Sequence, residues 1–328
     1  LKRLLALCGL SIALYVLVFG AVVDRPLSLG MLRLEILQKT ARLKAMPSPK
    51  LVILAGSNGP YSHSCVIIGA MLNLPCENAG IAVGIGLDEL FLRYAPYLHR
   101  GDILYLPMET EQYTMSRAQN RAGADAGMLL RHDRWLLAKL PTARVLGALF
   151  CCNLADLLES AAEMPIAAAR LIDPAALLAR EYNAQGDRID TPLNHADKAL
   201  LAMPARPAAT AAAITHGDGA RLIARFVATE TARGVIVIGG LPTDFQDVQL
   251  PAASIAAIAQ IYRTNGGSFV MLANHSEYPR ADFFDSEDHL AAPFQAIHSA
   301  AIGRLLISAL HLATPAAVKA RVASLPAP

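Results

Sequence analysis

Charge is scarce in this sequence. Among 328 residues there are 29 Lys and Arg and 27 Asp and Glu, a charged fraction of 17% and a formal net charge of +2. With no basic field to neutralise a run of phosphates, nucleic acid is excluded as a partner. A single Trp leaves no aromatic platform for stacking sugars. The five Cys, at positions 8, 65, 76, 151 and 152, form neither CxxC nor a Cys/His metal spacing, so no metal and no cofactor is expected. Gly80, Gly84 and Gly86 do not make GxGxxG, and no acidic residue closes a strand where a ribose would need it, which excludes a dinucleotide site. No internal repeat is visible.

Apolar residues, by contrast, make up 54% of the chain. Lys2 and Arg3 precede an uncharged run from Leu4 to Val23, about 20 residues and the span of a bilayer as a helix. Residues 1–24 are therefore expected to form a transmembrane signal anchor with a cytoplasmic N-terminus and everything after it exported. A signal peptide ending at Gly20 is the alternative, and the length of the run favours the anchor. Residues 25–50 read as a juxtamembrane amphipathic helix and linker, broken by Pro47 and Pro49.

Short, continuously apolar runs then alternate with helical stretches. The runs are 51–55, 75–80, 102–107, 234–240 and 268–273; the helices are expected at 61–74, 87–99, 217–233, 252–264 and 293–310. This alternation predicts an α/β fold with a parallel sheet covered on both faces. Between about 114 and 216 it stops, and a helical insertion is expected there as a lid or substrate-binding wall. Within it, Tyr182 to Pro192 reads as a polar loop. The vicinal pair Cys151 and Cys152 reads as packed in an apolar helix, and Cys65 and Cys76 as buried thiols rather than a bridge. Residues 311–328 read as a frayed tail.

Chemistry is expected at the carboxyl edge of the sheet. Leu51 to Gly59 (LVILAGSNG) ends the first strand in a tight turn carrying Ser57, beside a helix N-terminus. Alone, Ser57 reads equally well as a helix N-cap. A serine nucleophile needs a base, and the base needs a partner. His289, with Asp285 four residues before it, offers both after the last strand; Asp288 and Asp282 are alternative acids. Backbone N–H groups of Ser57 and Gly80 and the side-chain amide of Asn78 are candidate oxyanion donors. Asn58, Glu109, Glu111 and His275 end strands at the same edge and are candidate substrate contacts, with solvated loop charges as the plain reading of the two glutamates. Ser62, His63 and Ser64 read as capping or packing residues.

Gly-Ser-Asn after strand one, Asn-x-Gly after strand two and Asp…His before the last helix resemble the SGNH (GDSL-like) hydrolase superfamily. The stretches 77–87 and 97–113 are similar to its membrane-anchored, cell-envelope branch, which includes the D-alanyl-transfer protein of teichoic acid synthesis and the alginate acetylation proteins. The resemblance covers roughly 51–113 and 234–310. It implies a three-layer α/β/α, flavodoxin-like domain over 51–310, with Ser57, His289 and Asp285 as triad and Gly80 at the oxyanion. Asp285 stands at minus four from His289, as in that branch. The usual Gly-x-Asn-Asp after strand three is absent, and Glu109-Thr-Glu111 replaces it. The implied function is a serine acyl-esterase or O-acyltransferase on an envelope or extracellular polysaccharide such as cellulose. The expected setting is the periplasmic face of a bacterial inner membrane, single-pass, with a membrane-bound acyltransferase or polysaccharide synthase subunit as partner. The alternative is a non-catalytic subunit that binds glycan or a synthase complex.

Overall fold

The computed structural model describes residues 1–22, 27–121, 129, 132–149 and 154–312. Its centre is a five-stranded parallel sheet. The strands are β1 (Leu51–Ile53), β2 (Cys76–Asn78), β3 (Ile103–Leu106), β4 (Ile236–Gly239) and β6 (Ser268–Phe269), in the order β2-β1-β3-β4-β6. That is the flavodoxin-like order, with the strand order reversing at β1 and β3. Outside it, β5 (Asp244–Phe245) and β7 (Glu277–Tyr278) form a short parallel pair.

Period-two alternation along the strands divides the core into two layers. Val52, Leu104 and Val237 face a cluster filled from α2 (Ser28–Ala45), α5 (Leu87–Tyr94), α7 (Asp218–Ala232) and α8 (Ala252–Thr264). Leu51, Ile53, Ile103, Tyr105 and Ile238 face the other, filled from α4 (Cys65–Leu72) and α9 (Ala292–Ala309). Two short helices sit at the carboxyl edge, α3 (Asn58–Ser62) after β1 and α6 (Thr110–Thr114) after β3. The expected α/β architecture is thus present, with shorter strands than the apolar runs.

α1 (Lys2–Val22) is helical over the length expected. Its apolar side chains from Leu4 to Val18 lie largely exposed, but among the described residues no helix is long and apolar enough to cross a membrane. The expected membrane-spanning helix is therefore not found as such. α2 is more than a linker. It buries Ile36 and Leu43 in the core, and Lys39 pairs with Glu35 and donates to the carbonyl of Gly80. Cys65 and Cys76 form a disulfide, with Cα atoms 5.3 Å apart, tying α4 to β2; the expectation of free thiols is corrected. The two positions hold facing sides of one packed layer, a relation that sequence separation does not reveal. Cys151, Cys152 and most of the expected tail lie outside the described residues.

The insertion carries short helices, among them Leu154–Ala168 and Pro174–Glu181. Its polar loop is tied into the domain. Asp187 is buried, and its carboxylate accepts from the Cys65 and Val66 amides at 2.8 and 3.3 Å and from the Ser64 hydroxyl. This caps the N-terminus of α4, where a negative charge is favoured. The Asn78 amide N–H meanwhile donates to the Gln185 carbonyl at 2.8 Å.

Candidate functional site

The sheet delivers five loops to its carboxyl edge, and Ser57 sits in the first. It is the half-buried N-cap residue of α3, but its side chain makes no capping bond. Neither its hydroxyl nor its amide is hydrogen-bonded to another described residue. The loop after β7 closes on itself through a bridge between Phe283 and Leu290 and a bond from the Phe284 amide to the His289 carbonyl at 2.7 Å. Inside it, His289 Nδ1 and Asp285 Oδ1 are 2.5 Å apart. The carboxylate fixes the tautomer with the proton on Nδ1, so Nε2 presents a lone pair. That Nε2 is buried and has no hydrogen-bond partner among the described residues.

Tyr61 connects the two loops. Its ring stacks on the His289 ring, centroids 3.7 Å apart. One turn along α3 from Ser57, it lies on the same face, and its amide donates to the Ser57 carbonyl. The structure therefore brings His289 against Tyr61, one helical turn from Ser57, and no hydrogen bond joins His289 to Ser57. The Arg188 guanidinium lies 5.1 Å from the Tyr61 ring centre and pairs with Glu181. Ser62 fastens the His289 loop to α3: its hydroxyl donates to the Asp288 carbonyl at 2.8 Å and accepts from the Leu290 amide at 3.3 Å.

The remaining expectations divide. Gly80 packs directly on the Ser57 turn. A Cβ there would lie 2.6 Å from the Gly56 carbonyl oxygen and 2.8 Å from Pro60 Cδ, so only glycine lets the second loop approach so closely. Its amide donates to no described residue. Asn78 is corrected. Its amide nitrogen is spent on the Gly59 and His63 carbonyls, each at 2.9 Å, and on Asp187, and it is fully buried. Asn58 is corrected likewise. Its nitrogen donates to the Pro107 carbonyl at 2.9 Å and its oxygen accepts from the Thr243 amide and hydroxyl. It rivets the loops after β1, β3 and β4 together, out of reach of a substrate. His275 lies in the turn after β6 with positive φ, and its side chain forms no hydrogen bond with Ser57, Asp285 or His289.

Glu109 is no solvated loop charge. It is fully buried beneath the nucleophile turn, where its two oxygens accept the Gly56 and Asn58 amides, each at 2.8 Å. Burial pushes its carboxyl up to about 7, against the pull of those two bonds. The neighbouring Asp288 carboxyl is also raised, by burial first and then by Glu109. Glu111 stands apart from Glu109. It, Glu287 and Asp288 bring oxygens within 4.8 Å of one another beside a cavity of about 20 Å³. Arg206 pairs with both Glu111 and Glu287, so that cluster carries its own counter-ion.

Sequence reasoning missed Tyr61, Asp187 and Thr243. For Tyr61 a signal was present, an aromatic residue one helical turn from the serine. For Asp187 and Thr243, far from their partners in sequence, there was none. Comparison with protein-family models, with curated proteins and with solved structures finds no match for this chain.

Proposed function

We propose that the protein is a serine acyl-esterase or O-acyltransferase of the SGNH type, acting on an O-acyl group of an envelope or extracellular polysaccharide. The observation that carries this reading is His289. Its Nδ1 is held by Asp285, its Nε2 is buried without a partner among the described residues, and its ring stacks on Tyr61, one turn along α3 from Ser57. In this reading Ser57 Oγ attacks the ester carbonyl while His289 Nε2 takes its proton. The tetrahedral oxyanion is met by the Ser57 and Gly80 amides. Collapse breaks the ester bond, and the departing alkoxide takes the proton from Nε2. Water or a sugar hydroxyl then attacks the acyl-Ser57 carbonyl with the same base and releases the serine.

The exposed apolar α1 suits an inner-membrane anchor, and the Cys65–Cys76 disulfide suits an oxidising periplasm. The acylated polysaccharide or another acyl donor would then be met beside an export machine, with a membrane-bound acyltransferase or synthase subunit as partner. Ser57→Ala is expected to abolish covalent labelling by a fluorophosphonate probe and to lower aryl-ester hydrolysis by roughly 10⁴-fold or more. A folded wild-type protein that neither labels nor hydrolyses would overturn the enzyme reading.

One observation favours a second reading. Ser57 and His289 share no hydrogen bond, and the two amides flanking Ser57 are already occupied by Glu109. A non-catalytic subunit that binds glycan or a synthase complex would need no more.

A further inference from the structure

Glu109 is the charged side chain that touches the nucleophile turn from within the fold. One oxygen accepts the amide before Ser57, from Gly56, and the other accepts the amide after it, from Asn58. A carboxylate is suited to this because each of its oxygens is an acceptor, whereas a side-chain amide offers one acceptor and one donor. The Glu109 backbone is fixed in turn, its amide donating to Gln112 Oε1 at 3.1 Å at the start of α6. The fit is reciprocal: a Cβ at Gly56 would come within 2.5 Å of Glu109 Oε1 and 2.8 Å of Val83 Cγ2. A buried carboxylate against two buried amides is a strong, geometrically exacting pair of bonds. It sets the backbone on both sides of Ser57 while making no use of the Ser57 amide.

We propose that Glu109 is the positioning residue for Ser57. By holding both flanking amides, its carboxylate sets the direction of Ser57 Oγ towards His289 and leaves the Ser57 amide free for the oxyanion. It stands after the third strand, where Glu109-Thr-Glu111 takes the place of Gly-x-Asn-Asp. In this chain the contribution of that position reaches the reaction through the turn. The inference rests on the serine-enzyme reading above.

The test compares wild type with Glu109→Gln and Glu109→Asp in the full chain, using an aryl ester and a fluorophosphonate probe. Glu109→Gln keeps the volume but turns an NH₂ towards one of the two amides. It is expected to lower kcat and the labelling rate by about 100-fold, the scale of a small misplacement of reacting groups, with KM changed by less than threefold. Glu109→Asp, one methylene shorter, keeps the charge but reaches one amide. It is expected to lie between, and it decides the question if the glutamine variant does not fold. A folded variant with wild-type kcat and labelling would overturn the proposal and leave the enzyme reading intact. A parallel loss in KM and kcat that tracks falling thermal stability would reduce Glu109 to a structural residue and overturn it too. A wild-type protein inert to both probes overturns the enzyme reading and this one with it.

Discussion

His63 and His298 meet in the core with their Nε2 atoms 3.3 Å apart. His63 Nδ1 also contacts the Asn58 carbonyl, and His298 Nδ1 contacts the Tyr278 hydroxyl at 2.9 Å. Burial pushes His63 down to about 4, and His298 is lowered by burial and by His63. Between about pH 4 and pH 6.5 the unfolded chain therefore binds a proton at His63 that the native state refuses. Stability from this site is fully present above pH 6.5 and is lost as pH falls towards 4. His63→Gln should flatten the pH dependence of urea-unfolding stability across that window relative to wild type. The raised carboxyls of Glu109 and Asp288 act in the opposite sense and are common to both proteins, so the difference reports the His63–His298 pair. At this scale the sequence was legible where chemistry is local. Asp285 and His289 lie four residues apart and do meet. It was misleading where a polar side chain serves a distant backbone: Asn58, Asn78 and Glu109 all lie at the functional edge, yet their partners lie in other loops.

The elements converge on Gly80. The second loop reaches the nucleophile turn because no side chain stands between Gly80 and Gly56. Gly80→Ala is expected to cost about 1–3 kcal/mol, the usual range for overpacking a close contact, read as a lower urea midpoint. It should also slow probe labelling of Ser57, since the displaced atom is the Gly56 carbonyl. The disulfide belongs to this scale as well. Replacing Cys65 and Cys76 by serine releases a loop of 11 residues' separation, for which the chain-entropy account gives a loss of about 3 kcal/mol; unfolding of the double variant against oxidised wild type measures it. The sheet strands were legible as apolar runs bounded by turn residues, and their parallel pairing as alternation with helices. β5 and β7 were not, because two paired residues carry no periodicity. The first helix was legible as one long segment and is two, α3 and α4, parted at His63 and Ser64, where Ser64 caps the second.

For the molecule as a whole, α1 presents apolar side chains on all sides, whereas α2 is packed into the core. A helix hydrophobic all round calls for a non-aqueous neighbour. Under the proposed anchor, a chain lacking residues 1–22 should leave the membrane fraction while keeping the thermal unfolding of the domain, as flotation on liposomes and circular dichroism would show. The insertion was legible as an interruption of the α/β alternation. Its manner of docking was not, because a polar loop looks alike whether it is solvated or wedged beneath a helix.

Asp187 fixes an order of assembly. α4 follows directly on the nucleophile turn, yet the carboxylate that caps it is 122 residues downstream of Cys65, and Asn78 leans on the same group across 109. During synthesis the segment carrying Ser57 therefore leaves the ribosome with its helix capped by Ser64 alone, and the carboxylate arrives with the insertion. Contacts of such long separation form late. The disulfide, by contrast, closes within a segment already made. The Ser57 side of the molecule is thus held by one local link, across 11 residues, and one distant link, across 122. A chain interrupted before residue 187 would display an apolar, half-finished sheet edge to whatever machinery surveys nascent proteins.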